Sequence, residues 1–87
     1  MSLEGFYKKN KELQAMISAE IEMVNKGLSK KSIFQLHTIL NELYLMESTK
    51  RLIVSYPRLI IDSWDYSDSL GDELLELAQQ YKKISGD

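Results

Sequence analysis

Cysteine is absent from this 87-residue chain. Disulfide staples, thiolate zinc sites and thiol catalysis are therefore excluded. The absence suits a reducing compartment, and a cytoplasmic location is expected. Long apolar runs are missing as well. None approaches the roughly 20 residues that cross a bilayer, so no membrane partner is expected. The first 25 residues are broken by Glu4, Lys8, Lys9, Lys11, Glu12, Glu20 and Glu22. No secretory leader is expected there.

Glycine is sparse. Gly5, Gly27, Gly71 and Gly86 stand far apart and form no phosphate-cradling loop, so no cofactor is expected. Histidine occurs once, at His37. It lies four residues after Ile33 and seven before Tyr44, on or beside an apolar stripe. A catalytic histidine needs a nucleophile and an orienting carboxylate. Glu42 and Glu47 do not stand three or four residues from His37, so no local metal pair forms. His37 is expected to be a packed or boundary residue, and no enzymatic activity is expected.

What the chain does have is unevenly distributed charge. The formal net charge is −2. Residues 1–58 carry nine Lys and Arg against six Asp and Glu. Residues 59–76 carry six acids and no base. This asymmetry argues against a nucleic-acid partner, which needs a basic excess. It suits a basic protein partner. Hydrophobic residues make up 44% and charged residues 28%, as in a folded globular domain. A domain this small has a modest core, so a homodimer that buries more surface is a second expectation.

Periodicity points to helices. Phe6, Leu13, Ile17, Ile21, Val24 and Leu28 lie on one helical face, predicting a helix over 4–26 that ends at Gly27. Ser29 or Ser32 can cap a second helix. From Ile33 its apolar positions cover more than one face, as at a helix between two neighbours or at an oligomer interface. Ile39, Leu45, Met46 and Ile53 are the candidate self-association contacts. The short connection predicts an antiparallel hairpin. The second helix is expected to run to about Ser55, break, and be followed by a short helix near Pro57. Ser69, with Asp72 three residues on, is expected to cap a last helix whose buried stripe runs from Leu70 to Ile84. The predicted fold is all-α: a three- to four-helix bundle on a helical hairpin, one domain over 1–87.

The segment over 62–73 holds the only Trp and five acids. It begins with Asp62 and ends with Glu73, as a calcium-binding EF-hand loop does. Its interior has Trp64, Tyr66 and Ser67 where an EF-hand needs oxygen ligands and a turn glycine. The register from Asp65 fails at Leu70, so no metal site is expected. Asp62, Asp65 and Asp68, if exposed, keep ordinary pKa values and make poor acids at neutral pH. Lys26, Lys30 and Lys31 read as a solvated bend. The function expected is a non-enzymatic binding module: an adaptor, inhibitor or immunity-type protein. It would dock a basic partner through Asp62, Trp64, Asp65, Tyr66, Asp68, Asp72 and Glu73, because aromatics anchor interfaces and acids steer basic partners. The competing reading is that Trp64 packs inward to close the bundle.

Overall fold

The computed structural model describes residues 3–48, 53–65 and 67–84. These form four helices: α1 (Leu3–Asn25), α2 (Ile33–Ser48), α3 (Tyr56–Ser63) and α4 (Ser69–Ile84). No strand occurs among the described residues. The all-α bundle is as the periodicity predicts.

The end of α1 is fixed by local chemistry. Gly27 has φ 75°, a left-handed conformation that glycine adopts without Cβ strain. The Gly27 N–H donates to Val24 O and the Leu28 N–H to Met23 O. This paired pattern satisfies carbonyls that the helix leaves without partners. Ser32 then caps α2: its Oγ accepts the Gln35 N–H at 3.3 Å.

A polar ladder sets how α1 and α2 meet. Asn10 donates to Leu43 O at 3.0 Å, and Gln14 donates to Asn10 Oδ1 and to the Glu47 carboxylate. Lys11 pairs with Glu47 at 3.2 Å. The N-terminal half of α1 thus meets the C-terminal half of α2, making the hairpin antiparallel. Buried amides cost free energy unless bonded, so only a register that pairs them all is stable. α1 also packs on α4, through Phe6 against Tyr81 and Lys9 with Glu73. α3 contacts both α2 and α4.

One core cluster includes Phe6, Leu13 and Ile17 of α1, Leu36, Ile39, Leu43 and Met46 of α2, Tyr56 and Ile60 of α3, and Leu74, Leu77 and Tyr81 of α4. Two sequence expectations are corrected here. Ile39 and Met46, expected at a self-association surface, are buried. They lie on the α2 face that closes over α1 and α3. Nor does α2 run to Ser55. It ends at Ser48, and residues 53–55 are not helical.

Glu42 fixes instead where α3 begins. Its carboxylate, buried on α2, accepts the N–H groups of Ser55 at 2.7 Å and Tyr56 at 3.1 Å. It also accepts the Ser55 hydroxyl. The first N–H groups of a helix lack intrahelical acceptors. Here a side chain from another helix supplies them, and α3 starts at Tyr56 with Pro57 in its first turn.

Candidate functional site

The α3–α4 connection gathers the residues that the sequence marks as a candidate site. It opens where the Trp64 N–H donates to Ile60 O at 2.8 Å, closing α3. The Trp64 side chain turns inward and is only 9% exposed. Its ring lies against α4 at Gly71, where an added Cβ would come within 3.3 Å of the ring and 3.2 Å of Ile60. Glycine at that position lets the indole approach the helix backbone. The indole N–H donates to Gln35 Oε1 at 3.3 Å, which ties α2 to the connection. Lys31 Nζ sits 5.0 Å from the ring centroid, within cation–π range.

Lys31 also pairs with Asp68 at 2.8 Å. It is half-buried rather than part of a solvated bend. Asp68 also caps α4, where its Oδ1 accepts the Leu70 N–H at 3.0 Å. The cap is therefore Asp68 rather than Ser69, one residue earlier than expected. Burial pushes the Asp68 carboxyl up. The Lys31 ammonium and the Leu70 and Gly71 N–H groups outweigh burial and hold it below the usual range.

Asp65 bonds locally. Its Oδ1 accepts the backbone N–H and the hydroxyl of Ser67, both at 2.9 Å. These bonds hold its carboxyl below the ordinary value. Glu73 meets Lys9 at 2.5 Å across the α1–α4 contact, and its hydrogen bond raises the Lys9 pKa. Asp62 and Asp72 are exposed. Tyr66 lies outside the described residues. His37 points outward from α2 and is exposed, not packed. Among the described residues, no three His, Asp or Glu side chains converge on a metal-binding arrangement, and no helix is long and apolar enough to cross a membrane.

Two concavities flank Trp64. One, of about 450 Å³, lies on the Lys31 side and is lined by polar residues including Ser29, Lys30 and Gln35. The other, of about 160 Å³, runs between α3 and α4. Ile60, Ile61, Trp64, Gly71 and Leu75 line its apolar part, and Asp65, Asp68 and Asp72 its acidic part. Ile61, missed as a site residue by the sequence reading, is 69% exposed at its edge. Its place in an apolar run conceals it, because a run does not say which member turns outward.

No family model, no curated protein and no solved structure matches this chain. The residues and their geometry carry the functional reading alone.

Proposed function

We propose that this chain is a non-enzymatic protein-binding module that docks a basic segment of a partner in the cleft between α3 and α4. One observation carries the reading: an apolar cleft is rimmed by acids, and no Lys or Arg lines it. Asp68 is neutralised by Lys31, so Asp65 and Asp72 supply the free charge, with Asp62 close by in sequence on α3. Ile61 and Leu75 offer apolar contact at the same place. The ligand that fits is a peptide segment with Lys or Arg around one aliphatic side chain. Its charges would speed encounter, and its apolar residue would supply affinity.

The test uses the single tryptophan, whose ring lines the cleft. A Lys- and Arg-rich peptide carrying one leucine is titrated while Trp64 emission is followed. Saturable change at low salt, weakened at high salt and weakened by Asp62→Asn with Asp72→Asn, supports the reading. Asp68 is left unchanged because it caps α4. An unchanged emission, or equal binding by the variant, overturns the reading.

A further inference from the structure

The outward face of α2 has a different character. Its residues are Phe34, His37, Thr38, Asn41, Tyr44 and Leu45, and no Lys, Arg, Asp or Glu stands among them. The two acids of α2 turn elsewhere: Glu42 is buried and Glu47 bonds to α1. Phe34 is 77% exposed, Tyr44 50% and Leu45 39%. The outward faces of α1 and α4 carry charge instead, with Lys8, Lys11 and Glu12 on one and Asp72, Glu76 and Lys82 on the other. Depletion of charge together with aromatic enrichment is the compositional mark of an interface core.

We propose that this face is a self-complementary seam through which two copies of the chain pair with α2 antiparallel to α2. Phe34, Thr38, Asn41 and Leu45 follow steps of four, three and four, the spacing of a coiled-coil seam. The pattern reads apolar, polar, polar, apolar, so it is the same in both directions. A two-fold axis requires such self-complementarity. Antiparallel pairing sets Phe34 against the second copy's Leu45 and Thr38 against its Asn41.

At Thr38, hydrogen bonding favours that orientation. The Thr38 hydroxyl already donates its one proton to Phe34 O at 3.0 Å, so it can only accept. Antiparallel pairing faces it with the Asn41 amide, which donates. Parallel pairing would face Thr38 with Thr38, two acceptors and no proton between them. The helix dipoles favour the antiparallel arrangement too. With no charge on the seam, bringing like surfaces together incurs no like-charge repulsion.

The size of the seam sets its strength. A 16-residue helix is about 24 Å long. One face of that length covers well under the ~800 Å² per partner of a standard interface. The pair is therefore weak and concentration-dependent. Sedimentation of the full chain from about 10 µM to about 1 mM, a range that brackets weak association, should show the mass rising from 10.1 kDa toward twice that value. Phe34→Lys alone, and Leu45→Glu alone, should each abolish the rise with the melting temperature retained. The double substitution Phe34→Lys/Leu45→Glu should restore it, because antiparallel pairing sets opposite charges across the seam.

A chain that stays at 10.1 kDa throughout overturns the proposal. A Phe34→Lys variant that still pairs, or a double variant that does not, also overturns it. A monomer whose binding of the basic peptide is lost with Phe34→Lys would assign this face to another protein instead. Asp62→Asn with Asp72→Asn should leave self-pairing intact, which keeps failure here distinct from failure of the cleft.

Discussion

The α3–α4 connection and the outward face of α2 differ in what their side chains touch. In the connection, a charged or aromatic group usually meets another group of the same protein. Trp64 meets Gly71, Gln35 and Lys31, Asp68 meets Lys31 and the start of α4, and Glu73 meets Lys9. On the outward face of α2, Phe34, Tyr44 and Leu45 are exposed. Charge density in a sequence therefore does not separate paired acids from open ones: Asp68 and Glu73 are paired, whereas Asp62 and Asp72 are exposed. Asp68 is held where the fold closes because the first turn of α4 needs an acceptor and Lys31 needs a counter-charge. Among the described residues, none covers α2 on its uncharged face.

Substitutions should separate the two regions by size of effect. The largest is expected from Trp64→Ala, which empties the space between Ile60 and Gly71. A buried aromatic truncated to alanine costs about 3–5 kcal/mol, read as a fall in denaturation midpoint. A loss under about 1 kcal/mol, the scale of a surface change, would mean that the connection does not close the bundle.

Next comes Glu42→Ala. It leaves the Ser55 and Tyr56 N–H groups without their acceptor, at about 1–3 kcal/mol for the buried Tyr56 group. The accompanying loss of helicity should be confined to α3, which amide exchange would locate.

Asp68 should come third and is expected to depend on pH. Asp68→Ala removes both the cap and the Lys31 pair, a loss of about 1–2 kcal/mol. Asp68→Asn keeps capping ability and removes only the charge, so it should cost less. The folded carboxyl titrates below its unfolded value. The ion pair's stabilisation is therefore complete above the ordinary carboxyl range near pH 4 and fades as pH falls through the lower folded value. Unmodified and Asp68→Asn chains should thus differ at neutral pH and converge in acid. A gap independent of pH would remove the ion pair from the account.

The smallest changes in stability belong to the open positions. Phe34→Ser on α2, and Asp62→Asn on α3, should each move stability by no more than about 0.5 kcal/mol. The two should differ in what else they change. Phe34→Ser lowers self-association, whereas Asp62→Asn weakens basic-peptide binding. An exchange of those two effects would reverse the assignment of the surfaces.

All four helices were legible, the short α3 from Pro57 included, because their signals are local. A 3.6-residue apolar rhythm, Gly27 after α1 and Ser32 before α2 all act within a few residues of the bonds they control. The run from Ser48 to Ser55 misled because β-branched residues after a long helix carry no stop signal of their own. What fixes the start of the next helix, α3, is Glu42, a residue of the preceding helix. Asp68 and Ser69 are both good caps, and the presence of Lys31 beside Asp68 was invisible from the neighbouring residues. Trp64 was legible as important, and the inward-packing reading is the one that holds. Its direction depends on the gap that Gly71 leaves on another helix.

Near-neighbour chemistry is enough to make this chain helical, to place most of its helices, and to leave residues 59–76 with acid and no base. Those properties follow from hydrogen bonds and side-chain spacings that any window of the chain displays. The packed bundle settles the rest: which acids are paired, which way Trp64 faces, and that the face of α2 holding Phe34 and Leu45 stays open. Such outcomes depend on distances between helices, and these are set only when all four helices compete to bury their apolar faces in one core.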